Sequence, residues 1–187
     1  MRGRTAAFAL LAAGALAVLV VGSYATADSG KKNVSTGPMS GYLEGAPSGP
    51  VSSPATGSFE ATIDDAAGEI DYTLSYSGLE GDIRQAHIHF GQRSVNAGIS
   101  AWLCETSFNT SPSASTPTCP QSGTVTGTIT ALEVIGPAGQ GIAAGEFGEL
   151  VAALRAGRAY ANVHSSMFPG GEIRGQINDR DQRQFEG

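Results

Sequence analysis

The stretch Ala86-His87-Ile88-His89-Phe90-Gly91 alternates polar and apolar residues, and this alternation decides the fold class. Successive side chains of a β-strand point to opposite faces, so His87 and His89 share one face and the apolar residues share the other. A second stretch, Tyr160-Ala161-Asn162-Val163-His164, alternates in the same way and carries the remaining histidine of the chain. Histidines on the polar faces of two strands indicate a built site.

The same period-two pattern recurs through residues 57–178. Short runs with apolar residues at every second position are separated by Gly, Pro or Ser, which is typical of an antiparallel sandwich or barrel. Residues 146–156 break the period, because their leucines and valine lie at helical spacing, and Gly157 follows as a helix C-cap. The sequence therefore predicts one all-β domain over 57–178 with a single short helix.

The first 56 residues have a different composition. Arg2 and Arg4 precede an apolar run over residues 5–22, and Ala25-Thr26-Ala27 offers a small-x-small cleavage site. This layout predicts a signal peptide over 1–27, with a retained membrane anchor as the alternative. Residues 28–56 are rich in Pro, Ser and Gly and predict a flexible linker, and residues 179–187 predict a disordered tail.

The charge of the chain bears on its partners. The net charge is −6, and it becomes more negative if a leader carrying Arg2 and Arg4 is removed. An acidic protein does not favour nucleic acid or anionic lipid. We therefore expect a secreted or extracytoplasmic protein whose partner is an extracellular protein or an envelope component, with no nucleic acid and no membrane once the leader is cleaved.

Two cysteines, Cys104 and Cys119, flank a segment of loop composition. An exported chain meets an oxidising compartment, so we expect a disulfide between them. The alternative is a metal-binding or redox thiol pair, but the spacing fits neither a CxxC motif nor a zinc finger.

Taken in order, five motifs resemble the CHRD domain. They are AHIHFG at 86–91, GE at 145–146, LRAG at 154–157, YANVH at 160–164 and PGGEIRGQI at 169–177. That domain is named after chordin, an extracellular antagonist of growth factors, and it also occurs alone in exported bacterial proteins. The resemblance implies an immunoglobulin-like, Greek-key β-sandwich without an established reaction. It favours a non-catalytic extracellular binding module, and we expect no catalytic residue.

The His-x-His segment at 87–89 is also similar to that of copper–zinc superoxide dismutases, which are β-sandwiches too. Three histidines cannot supply a complete two-metal site of that kind. They can supply a mononuclear copper or zinc site, for which His87, His89 and His164 are the candidate ligands. This is the alternative function that the sequence leaves open.

A hydrogen-bonded polar layer is the competing interpretation of the histidines. Its candidate members lie at compatible parity in the neighbouring strands and are Tyr160, Asn162, Glu172 and Arg174. In that arrangement Glu172 and Arg174 form a salt bridge or orient His164. The sequence favours this layer over the metal site, because histidines in strands are more often structural than metal-binding.

Overall fold

The computed structural model of the chain describes residues 31–41 and 49–179. Within these residues lie nine strands and one α-helix. In chain order they are β1 (Lys31–Ser35), β2 (Met39–Ser40), β3 (Thr56–Asp64), β4 (Glu69–Ser77), β5 (Ile83–Phe90), β6 (Ile99–Cys104), β7 (Gly123–Ile129), α1 (Phe147–Arg155), β8 (Ala159–Ser165) and β9 (Ile173–Asp179). The predicted all-β class with one short helix is confirmed.

The named strands pair antiparallel, in the order β6-β5-β8-β9-β1-β3-β4-β7, and the short β2 pairs with both β3 and β9. This path folds over on itself, so that β6 at one end contacts β7 at the other. The Tyr72 hydroxyl on β4 donates to the Leu103 carbonyl on β6 at 2.7 Å and ties the two layers together. The result is the predicted antiparallel sandwich, with the apolar core between the layers.

Strand parity places the histidines as predicted. Ile88 belongs to the apolar core, together with the inward residues Ala161 and Val163 of β8. His87 and His89 alternate with these core residues and therefore lie on the opposite face of the β6-β5-β8-β9 layer. The alternation in the sequence thus predicts correctly which face of β5 and β8 packs against the second layer.

For the described residues 31–41 and 49–56, the structure corrects the expectation of a flexible linker over 28–56 and of a domain that begins at 57. β1 pairs with β3 from Lys31↔Asp64 to Ser35↔Glu60, and it also pairs with β9. Val34 and Met39 are buried in the core. β1 and β2 each contribute a single inward apolar residue, so their sequence shows no alternation that could reveal them.

The other expectations at the termini lie largely outside the described residues. The predicted signal peptide, its membrane-anchor alternative and residues 180–187 cannot be compared with the structure. Asp179 was expected to begin the tail but instead ends β9. Among the described residues, no helix has the length and apolar character needed to cross a membrane.

Two local predictions are confirmed. Gly157 follows α1 with a φ of 62°, the left-handed conformation that a glycine C-cap adopts. Cys104 and Cys119 form a disulfide that closes the 105–118 loop. Cys104 is the last residue of β6, so the disulfide fastens this loop to the layer that carries the histidines.

Candidate metal centre

The three histidines lie together on adjacent strands. His87 and His89 are on β5, and His164 is on the neighbouring strand β8, where the register pairs it with Gln85. One ring nitrogen from each histidine lies within 4.8 Å of the other two. Their side chains are buried, with exposed fractions of 0, 6 and 5% for His87, His89 and His164. The fold therefore brings the predicted ligand set into one cluster.

Two backbone carbonyls fix the tautomers of His89 and His164. His89 Nδ1 lies 2.9 Å from the Ala97 carbonyl oxygen, and His164 Nδ1 lies 3.0 Å from that of Pro169. A carbonyl oxygen can only accept, so both Nδ1 atoms carry the proton. In the neutral ring the Nε2 atom then holds a lone pair, which is the form in which imidazole binds a metal.

His87 completes the hydrogen bonding within the cluster. Its Nδ1 lies 3.2 Å from His164 Nε2, and because that Nε2 is an acceptor, His87 Nδ1 must be the donor. The Nε2 atoms of His87 and His89 are buried and have no hydrogen-bond partner among the described residues. Buried polar atoms are usually paired, so two such lone pairs in one cluster are available to bind a ligand.

Burial keeps the cluster neutral. Removal from water lowers the pKa of His87 well below its usual value, and the neighbouring imidazoles lower it further. The pKa of His89 falls to about 3 and that of His164 to about 4, in both cases mainly through burial. The positive charge of Arg174 lowers the pKa of both. All three rings are therefore neutral near pH 7, each with one N–H and one nitrogen lone pair.

Aromatic side chains frame the cluster on two sides. Trp102 on β6 meets His87 edge to face, with ring centroids 4.3 Å apart. Tyr160 on β8 stacks on His89 with centroids 4.8 Å apart and nearly parallel planes. The Arg174 guanidinium, on β9 at the other side of β8, lies 3.7 Å from the centre of the Tyr160 ring. These contacts restrict the orientation of the imidazoles.

The loop over residues 91–98 supplies the Ala97 carbonyl and is held down by the same layer. Arg174 donates to the Val95 carbonyl and to Asn96 Oδ1, both at 3.1 Å. The backbone N–H of Ala97 donates to the Tyr160 hydroxyl at 3.2 Å. These three hydrogen bonds fix the 91–98 loop and thereby hold the Ala97 carbonyl in position to accept from His89 Nδ1.

The four residues proposed for a polar layer have different roles. Tyr160 and Arg174 adjoin the histidines, as described above. Asn162 shares their face, and its Nδ2 donates to the Gly170 carbonyl at 3.4 Å, while its buried Oδ1 has no hydrogen-bond partner among the described residues.

Glu172 is used elsewhere. Its Oε1 accepts from Ser53 Oγ at 2.6 Å and from the Glu80 backbone N–H at 2.8 Å. Glu172 precedes β9, so the strand parity that would align it with Arg174 does not extend to it.

Three parts of the site were not predicted from the sequence. Trp102 could have been found, because alternation along Ile99–Cys104 places it on the face opposite the core residues Ala101 and Leu103, which is the histidine face. The carbonyls of Ala97 and Pro169 could not, since a backbone oxygen has no side-chain signature. Their positions depend on how the two loops fold over the layer.

The family of the chain follows from a comparison with family models. The model of the CHRD domain matches residues 39–177, well over half of the chain. This chain belongs to the CHRD domain family. The match begins at the first residue of β2, before the predicted start of the domain at residue 57 and after β1. No curated protein and no solved structure is significantly similar to the chain.

Proposed function

We propose that this CHRD domain is a metal-binding module that holds one copper or zinc ion through His87, His89 and His164. The observation that carries the proposal is the pair of buried, unpartnered Nε2 lone pairs beside a third imidazole. Imidazole nitrogen is a ligand that copper and zinc both accept.

The distances within the cluster support this function. Two nitrogens bound tetrahedrally to one zinc ion at about 2.0–2.1 Å lie about 3.4 Å apart. One ring nitrogen of each histidine lies within 4.8 Å of the other two, so small side-chain movements would bring the three nitrogens to that spacing. Metal-binding histidines usually donate their second ring N–H to a carbonyl or carboxylate, and His89 and His164 both do so.

The competing structural layer accounts for fewer of these observations. In a purely structural network, the buried ring nitrogens would pair with Asn162, Glu172 or Arg174. The ring nitrogens instead contact one another and two carbonyls, and two are left over. If positions 87 and 89 had only a structural role, apolar side chains or fully hydrogen-bonded ones would stabilise the fold better than two histidines with an unsatisfied Nε2 each.

The module would work outside the cytoplasm. The disulfide between Cys104 and Cys119 supports this location, because such bonds persist in oxidising compartments. The signal peptide expected over residues 1–27 supports it too. A non-catalytic role in an extracellular assembly, favoured by the sequence, is compatible with a bound metal ion.

Elemental analysis tests the proposal. Purified protein is equilibrated with Cu²⁺, with Zn²⁺ or, anaerobically, with Cu⁺, freed of unbound ions and analysed for metal. We expect one ion per chain, and we expect His164→Ala to lose most of it while its circular dichroism spectrum stays that of a folded β-protein.

Glu69→Gln, in the hairpin between β3 and β4, is the matched control for nonspecific binding to acidic side chains, and it should retain the ion. Native protein that binds no metal, or binds it equally well after His164→Ala, would refute the proposal.

A further inference from the structure

The donor set of the histidine cluster is electrically neutral. Among the described residues, the group of potential metal ligands contains three imidazoles and neither a carboxylate nor a thiolate. The charge of a bound ion would therefore be left without compensation from its ligands. This property goes beyond the presence of a metal, because it bears on which ion the site accepts.

Burial makes the charge of the ion costly. The three rings are at least nine-tenths buried, and the energy needed to move an ion out of water rises with the square of its charge. A divalent ion in the same cavity thus costs about four times as much as a monovalent ion before its ligands are counted.

A neighbouring cation adds to this discrimination. Arg174 lies against Tyr160, which stacks on His89. Repulsion between Arg174 and a bound ion is twice as large for a divalent ion as for a monovalent ion.

The number of donors points in the same direction. Zinc sites are almost always four-coordinate, so three histidines leave Zn²⁺ in need of a water molecule or another ligand. Cu⁺ is a closed-shell ion of similar size that is satisfied by three nitrogens in a plane. Imidazole suits both metals, so charge and coordination number, rather than donor type, separate them.

We propose that the three-histidine site selects Cu⁺ over divalent ions of similar size, and that the positive charge of Arg174 contributes to this selection. The inference rests on the metal-binding function proposed above and specifies its ligand. Cu⁺ and Zn²⁺ both have filled d shells, so a comparison between them isolates charge and coordination number from ligand-field effects.

Competition titrations test this inference. Native protein is titrated under anaerobic conditions with Cu⁺ against a chromophoric Cu⁺ chelator, and separately with Zn²⁺ against a zinc chelator. We expect the affinity for Cu⁺ to exceed that for Zn²⁺. Arg174→Gln should reduce the ratio of the Cu⁺ affinity to the Zn²⁺ affinity by about tenfold. The two ions differ by one unit charge, and this is the effect of that charge on its repulsion by Arg174 at a distance of several ångströms in a partly buried site.

Arg174→Lys is the matched control, because it keeps the charge and loses the planar hydrogen-bonding fork. It should keep most of the native ratio even where looser anchoring of the 91–98 loop weakens both ions. If the native protein binds neither Cu⁺ nor Zn²⁺, the metal-binding function itself is overturned. Binding of Zn²⁺ as tightly as Cu⁺, or an unchanged ratio in Arg174→Gln, would overturn the selection and leave the metal site standing.

Discussion

His87 Nδ1 lies 3.2 Å from His164 Nε2, although 77 positions separate the two residues in the chain. Both rings are buried and neutral, and a single proton lies between the two nitrogens. The contact exists because β8 pairs directly with β5, so the fold itself assembles the cluster.

The single tryptophan of the chain should report on metal binding. Trp102 contacts His87 edge to face, so an ion held by His87 would lie close to the indole. Cu²⁺ should quench the fluorescence strongly, with saturation at one equivalent, because an open-shell ion accepts excitation energy at short range. Zn²⁺, with a filled shell, should shift the emission without quenching it.

His164→Ala controls for collisional quenching in that titration. It leaves Trp102 and His87 in place and removes one ligand, so its quenching curve should lose the saturable phase. A native curve that rises linearly with Cu²⁺ concentration would contradict binding beside Trp102.

The stability of the metal-free protein should fall in mild acid. The folded pKa values of His89 and His164 are about 3 and about 4, whereas an unfolded histidine titrates near 6.5. Protons therefore bind the unfolded chain first, and the free energy of unfolding declines as the pH drops below about 6.5. Each histidine contributes a slope of at most about 1.4 kcal/mol per pH unit until its folded pKa is reached.

Urea denaturation at pH 7 and pH 5 measures this effect. The interval lies mostly above the usual titration range of carboxylates, so the histidines dominate it. His89→Gln should reduce the difference between the two pH values, because glutamine does not titrate. Equal stability at pH 7 and pH 5 in the native protein would contradict neutral, buried imidazoles.

Ile88 should be far more important for stability than an exposed strand residue such as Thr126. It is fully buried between the histidines on the core face of β5, so Ile88→Ala should cost about 3 kcal/mol in unfolding free energy through lost burial and a cavity. Thr126→Ala, on the exposed face of β7, should change it by less than about 0.5 kcal/mol. A similar, small cost for both variants would refute the assignment of faces.

The disulfide should stabilise the protein through the loop that it closes. Cys104 and Cys119 are 15 positions apart, and a loop of that length corresponds to about 3 kcal/mol in the chain-entropy model. The double variant Cys104→Ser/Cys119→Ser should lose about this amount in thermal or urea unfolding. A native protein that shows two titratable thiols without reductant would contradict the bond.

The fold class and the shared face of the candidate ligands could be predicted because they depend on local periodicity. Alternation around Ile88 identifies β5 and assigns its two faces, and the same pattern around Val163 does so for β8. The pairing of β5 with β8 could not be derived from this pattern, since it depends on which distant strands meet. The clustering of the histidines was therefore a hypothesis until the register was known.

The remaining differences have equally local causes. β1 and β2 escape prediction because each buries a single apolar residue, Val34 and Met39, within polar surroundings. Glu172 was assigned to the histidine face by counting parity past the start of β9, where the chain is no longer extended; Gly171 has a φ of 125° there. Parity arguments hold only inside a continuous strand.

Anomalous diffraction from crystals grown with Cu⁺ or Zn²⁺ tests the central claim most directly. At the absorption edge of the metal, we expect one strong peak about 2.0–2.1 Å from a ring nitrogen of each of His87, His89 and His164. The Nδ1 atoms of His89 and His164 should remain hydrogen-bonded to the carbonyls of Ala97 and Pro169. A metal peak bound to other side chains, or no peak at the cluster at saturating metal, would contradict the account.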